Sequence, residues 1–175
     1  LLIGDLHGLN TLEHQPAKVA AMEGHWESMA GAPMILFALP DQEAETNRYE
    51  IGIPKLGSLI LTHDPDGVVQ GLKEWAPEDR PNVPIVFWSF RLMVGIGLIM
   101  IAIGLVSLIL RRGGRLYEAR WFLGICVACV PIGFIALLAG WITTEAGRQP
   151  WVVYGLMRTF DGVSPAVTAG AVSSS

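Results

Sequence analysis

Leu92–Leu110 reads LMVGIGLIMIAIGLVSLIL, nineteen residues without a charge, and Arg111-Arg112-Gly113-Gly114-Arg115 follows it at once. A bilayer hydrocarbon core of about 30 Å is crossed by about 20 helical residues. The run therefore predicts a membrane-spanning helix over 84–110, with Arg91 as its only charge. A second run, Trp121–Thr144, is also uncharged and holds Pro131 inside it. It predicts a second span over 121–146, kinked where proline removes a backbone donor.

The linker 111–120 carries Arg111, Arg112, Arg115 and Arg120 against Glu118, four positive charges and one negative, a net of +3. Positive residues in short loops favour the cytoplasmic side. Residues 1–83 are then expected on the extracytoplasmic face, as is 147–175, a loop leading to a next helix. Trp88, Trp121, Trp141 and Trp151 fall near the expected boundaries, where interfacial aromatics sit. The fold expected is an all-α, multi-spanning membrane protein with an irregular extracytoplasmic loop. The chain opens on Leu1-Leu2-Ile3 rather than Met and reads as an internal piece of a longer membrane protein.

Of 175 residues, 51% are hydrophobic and 16% charged, against roughly a quarter charged in a soluble domain. The formal net charge of −4 excludes a basic nucleic-acid module, and the apolar excess excludes a disordered chain. Two cysteines make no disulfide framework. They form Cys126-x-x-Cys129 inside the second apolar run, where packing is favoured over redox chemistry. The four histidines have no zinc spacing.

Residues 1–83 hold 13 acidic and 5 basic residues, a net of −8. Prolines cut this segment into short pieces. Glu13–Glu27 reads as one amphipathic helix with Pro16 in its first turn. Met34–Leu39 and Leu56–Leu61 read as strand or buried loop.

Arg91 lies about two turns inside the first helix; it either snorkels or anchors a carboxylate such as a haem propionate. Met93 is either apolar filler or a thioether ligand to iron. Two residues are about 200° apart around a helix, so Arg91 and Met93 point in different directions. Trp141, Glu145 and Arg148 are spaced i, i+4, i+7 and share a helical face. Glu145 and Arg148 form either a plain ion pair or an iron-ligating or proton-handling carboxylate balanced by arginine. Lys18 and Glu23 are about 140° apart and do not share a face. Local partners are expected at His14 or Met22 for Lys18 and at Glu27 for Glu23. The pair reads as a solvated helix, or as a donor and a proton acceptor for a polar head group.

Four strings in order carry a resemblance: Gly4-Asp5-Leu6-His7-Gly8-Leu9, Gln15-Pro16-Ala17-Lys18-Val19-Ala20-Ala21-Met22-Glu23, Trp88-Ser89-Phe90-Arg91-Leu92-Met93-Val94-Gly95, and Gly140-Trp141 through Glu145-Ala146-Gly147-Arg148-Gln149-Pro150-Trp151. Together they resemble subunit I of the cytochrome bd quinol oxidases, nearer to the cyanide-insensitive branch with its short quinol loop. The resemblance implies a quinol:O2 oxidoreductase of the bacterial inner membrane, part of a terminal respiratory oxidase that generates a proton gradient. It implies low-spin haem b, high-spin haem b and haem d, with quinol, O2, a subunit II and membrane lipid as partners and no nucleic acid. By similarity, residues 1–83 are the quinol loop on the periplasmic side. Lys18 and Glu23 are then quinol-site residues, Met93 ligates low-spin haem b, and Arg91 stabilises it. Glu145 then ligates high-spin haem b, with Trp141 and Arg148 around it. The histidine ligands are expected upstream of Leu1, so the isolated piece is expected to be inactive. The competing readings are a non-catalytic anchor or assembly subunit, and a haem b electron-transfer subunit without oxygen chemistry.

Overall fold

A computed structural model describes residues 2–162. Residues 163–175, with the small-residue tail from Ala166 onward and the latter part of the expected loop 147–175, lie outside the described residues. The chain begins with helix α1 (Leu2–His14) and helix α2 (Pro16–Glu23). Three short strands follow, β1 (Met29–Ala30), β2 (Met34–Asp41) and β3 (Thr46–Ile53), then helix α3 (Leu56–Thr62) and strand β4 (Val68–Val69). Two 3-10 turns lead into the long helix α4 (Val83–Arg112). Helices α5 (Arg120–Ala128) and α6 (Ile132–Arg148) and the strands β5 (Trp151–Val153) and β6 (Met157–Arg158) complete it.

The stretches Val83–Arg112 and Arg120–Arg148 are long and apolar enough to cross a membrane. The second span is not one helix. Pro131 has no N–H, and Ile132 N–H turns back to Cys129 O at 3.1 Å, so α5 stops at Ala128 and α6 restarts at Ile132. Cys126 and Cys129, both free thiols, sit at this break. Helices α4 and α6 pack side by side.

The polar segment is not irregular, and the fold is not all-α. Strands β2 and β3 form an antiparallel hairpin, β1 pairs with β4, and β5 with β6. The apolar run at 56–61, expected as strand or buried loop, is helical; a short apolar run does not declare its period. The single helix expected over Glu13–Glu27 is two. Gln15 separates α1 from α2, and Gly24, at φ 74°, ends α2 in the left-handed conformation that glycine adopts without penalty. A Cβ at Gly24 would also stand 2.9 Å from the Phe87 ring, so the turn requires glycine twice over.

This segment is seated on the first turns of α4. Ala20, Ala21, Trp26 and Leu72 pack against Val83 and Val86, while Ile35 and Ala38 enclose Phe87. The start of α4 is capped with care. Asn82 accepts from Ile85 N–H at 3.2 Å, Pro84 has no donor to satisfy, and Gln42 of the β2–β3 turn accepts from Val83 N–H at 2.9 Å. The orphan donors of a membrane helix end are thus met by the polar segment itself.

Candidate functional site

Helix α2 has two faces. Ala17, Ala20 and Ala21 are buried in the core. At about 100° per residue, Lys18, Met22, Val19 and Glu23 occupy successive positions along the remaining arc of about 140°. All four line a cavity of about 400 Å³. Lys18 and Glu23 do not share a helical face, but they are the two edges of one concave wall. The cavity is closed by His7, Gly8 and Thr11 of α1, Ile60 and Leu61 of α3, Phe90 and Met93 of α4, and Gly140, Thr143 and Thr144 of α6. It is mainly apolar with a few convergent polar groups, the composition of a site for an amphipathic small molecule.

Two of the partners expected from local spacing are engaged elsewhere. His14 Nδ1 lies 2.9 Å from Asn10 O, and Glu27 pairs with Lys73 at 3.0 Å. Glu23 instead meets Arg91: its Oε2 is 3.4 Å from Nη2, and both side chains are 13% exposed. Arg91 neither snorkels nor stands free. Its Nε donates to Ile35 O at 3.0 Å, and further N–H groups donate to Met22 O and Ile35 O. Its guanidinium stacks over the Phe87 ring at 3.9 Å from the centroid. The arginine clasps the end of α2 and strand β2 onto α4 through backbone carbonyls. No sequence pattern marks such acceptors.

Met93 turns the other way, toward α6, as the 200° offset requires. A Cβ on Gly140 would lie 2.8 Å from its sulfur. Beside it Thr143 Oγ1 is 2.9 Å from Ser89 Oγ, a buried bond between α6 and α4. Ser89, Thr143, Gly140 and His7 were not named as site residues from the sequence, although the quoted strings run through them. The only signal available for the first two was a hydroxyl on each of two apolar helices.

The stem of Lys18 lies along α6. A Cβ on Gly147 would be 2.9 Å from Lys18 Cγ, 3.2 Å from Cε and 3.3 Å from Cδ. Burial lowers the Lys18 pKa below the usual 10.5, the Arg148 charge lowers it further, and Glu145 acts in the opposite sense. Glu145 and Arg148 form an ion pair one turn apart at the end of α6. Arg148 Nε is buried without a hydrogen-bond partner among the described residues. Trp141 is 63% exposed. Since Ala139, Thr143 and Gly147 form the buried stripe of α6, Trp141, Glu145 and Arg148 lie on the other side of that helix and outside the cavity lining. The structure thus joins Lys18, Glu23 and Met93 at one cavity, with Arg91 behind Glu23. The trio at the end of α6 faces elsewhere.

Met93 fits a haem iron ligand: a soft thioether lines a cavity and is backed by a glycine. Glu145 fits as a carboxylate ligand, with Arg148 holding its charge and its helix face uncovered by this chain. Among the described residues no group of three or more His, Cys, Asp and Glu side chains could hold a metal ion alone.

The chain matches the family model described as cytochrome bd terminal oxidase subunit I over residues 1–175. It is 40% identical over 181 positions to cytochrome bd ubiquinol oxidase subunit 1 of Bacillus subtilis, covering 98% of this chain and 39% of that protein. It is 29% identical over 239 positions to cytochrome bd-II ubiquinol oxidase subunit 1 of Escherichia coli, covering 99% of this chain and 46% of that protein. The bd oxidase structure from Geobacillus thermodenitrificans superposes with a TM-score of 0.82 at 33% identity, over 99% of this chain and 39% of that one. The chain therefore spans less than half the length of these relatives. The whole-chain match to the family model, joined to two apolar spans with a polar segment folded over their ends, leads to one conclusion: the chain belongs to the cytochrome bd terminal oxidase subunit I family.

Proposed function

We propose that this chain forms the quinol-oxidising part of a membrane-bound terminal oxidase that passes quinol electrons to O2, giving water. The observation that carries this reading is the single cavity of about 400 Å³ lined by Lys18, Glu23 and Met93. Oxidation of a quinol releases two electrons and two protons, so its site needs a proton acceptor, a group that orients the ring hydroxyls, and an electron acceptor close by. Glu23 is the acceptor. Its carboxylate is anchored through one oxygen by Arg91, which keeps it aimed while it takes the proton. Lys18, on the opposite edge of the wall, holds the second ring oxygen by hydrogen bond or charge. The apolar floor of Val19, Met22, Ile60 and Leu61 suits the ring and its isoprenoid tail.

The family resemblance supports low-spin haem b at Met93, high-spin haem b at Glu145, and haem d as a third group. When bound, a haem held by Met93 would supply electron transfer and one held by Glu145 would supply the iron for oxygen chemistry. Arg91 holds positive charge two residues from Met93, which favours an added electron there. Trp141 and Arg148 pack and charge the surroundings of Glu145. The basic linker 111–120 supports a cytoplasmic place for itself and a periplasmic place for 1–83 in a bacterial inner membrane. A second oxidase subunit and lipid are the partners of the exposed helix faces.

The test is Glu23→Gln in the assembled oxidase. Quinol oxidation should fall by about 10²–10⁴-fold, the usual worth of a general base, while the reduced enzyme still reacts with O2 at its normal rate. Equal loss of both reactions would mean that Glu23 only holds the fold.

A further inference from the structure

We infer that Gly147 and Gly140 of α6 are positioning residues, Gly147 seating the Lys18 stem and Gly140 the Met93 thioether, so that one helix sets both halves of the cavity. This rests on the reading of the cavity as the quinol site. Glycine inside a helix costs about 1 kcal/mol relative to alanine, and α6 carries three at seven-residue spacing; a Cβ at Gly133 would meet Met100 Cε at an ordinary 3.9 Å, so Gly140 and Gly147 are the two whose contacts give a reason. Close approach of α6 to α4 is not that reason. Ala139 and Thr143, on the same buried stripe, carry a Cβ and pack with 3% and 4% exposure.

What a Cβ would meet is specific. At Gly147 the three nearest atoms all belong to Lys18, at 2.9, 3.2 and 3.3 Å. At Gly140 the atoms within 4 Å from the described residues beyond its own helix are Met93 Sδ at 2.8 Å and Cγ at 3.7 Å. No backbone atom appears in either set. Helix α2 does not retreat to relieve the first contact, because Ala17, Val19, Ala20 and Ala21 are buried around it. The lysine stem itself must swing, carrying its ammonium off the cavity edge. Positions seven apart lie within about 20° of one azimuth and about 10.5 Å along the axis. The two seats therefore act as a fixed ruler between the ring-oxygen partner and the sulfur.

The test uses the full-length assembled oxidase. Gly147→Ala should raise the quinol KM about tenfold, since a misplacement near 1 Å costs up to about 10²-fold, and leave both haem b spectra unchanged. Gly140→Ala should shift the low-spin haem spectrum, because the Cβ displaces the Met93 thioether, and an unshifted spectrum overturns this half of the inference. In a Lys18→Ala background Gly147→Ala should add nothing further to KM, because the stem it displaces is gone. If Gly147→Ala prevents assembly, the double variant Lys18→Ala/Gly147→Ala should restore it, and failure to restore it overturns the inference. The inference is also overturned if Lys18→Ala raises KM while Gly147→Ala does not, or if the two effects add. If Lys18→Ala leaves KM unaltered, the quinol-site reading falls, and the inference with it.

Discussion

Glu23 and Arg91, 68 positions apart in the chain, meet at 3.4 Å with both side chains 13% exposed. The pair joins the end of α2 to the first turns of α4. It also places a fixed positive charge behind the carboxylate proposed to receive a quinol proton.

Arg91→Lys should not substitute for the arginine. A lysine ammonium lacks the planar fork that reaches Met22 O, Ile35 O and Glu23 together. Opening this buried cluster should cost on the order of 3–5 kcal/mol, felt as loosening of the polar segment rather than of the spans. Limited proteolysis of the assembled protein should show faster cleavage within 24–54 in the variant. An unchanged cleavage pattern would remove the clasp from the account.

Lys18 gives a pH dependence with a definite sign. Its pKa in the folded chain is lowered from 10.5 by burial first and by Arg148 second. The folded state therefore binds fewer protons than the unfolded state in the window between the lowered value and 10.5. Stability should rise with pH through that window. Loss of the ammonium's grip on substrate should give the quinol KM an alkaline limb starting below 10.5. Arg148→Gln removes a repelling charge and should move that limb upward. Lys18→Gln should abolish it. A limb unmoved by either change would assign it to another group.

Met93→Leu conserves volume and should leave the helices intact. It should remove the low-spin haem b absorbance while the high-spin signal persists, and Glu145→Gln should do the reverse. Absorbance spectra of the purified, reduced assembly separate the two. Loss of both signals in both variants would show that the sites fold as one unit.

Thr143 and Ser89 should be energetically coupled. Single changes, Thr143→Val and Ser89→Ala, each break the same 2.9 Å bond between α6 and α4. The double variant should be less destabilised than the sum by about 0.6–1.7 kcal/mol, the range for such bonds in membrane helices. Denaturation of the four proteins in detergent measures this. Simple additivity would mean the hydroxyls act separately.

The sequence exposed the two spans readily, because an uncharged run of nineteen residues closed by arginines has few alternatives in water or lipid. Pro131 also marked the break between α5 and α6, though as a kink within one helix rather than an interruption. Of the β2–β3 hairpin only the first strand was legible, at 34–39 and as one of two alternatives, strand or buried loop. Its apolar run at 34–39 ends in Pro40-Asp41, and its partner strand holds Arg48 and Glu50, so no clean alternation appears. Lys18 and Glu23 were legible from residue type as a donor and an acceptor, with a solvated helix as the alternative, and the family strings favoured the former. Spacing alone separated them, because a rule about faces does not anticipate a cavity that wraps around two turns of helix. The partners of Arg91 are carbonyl oxygens, which every residue has, so composition is silent about them.

The cap that Gln42 places on Val83 carries a consequence for how the molecule matures. The amide that opens the long apolar helix is satisfied by a side chain 41 positions earlier, on the turn of the β2–β3 hairpin. The first amide of that helix is therefore completed by a distant part of the chain: it has this partner only once the hairpin has docked, and water must serve it until then.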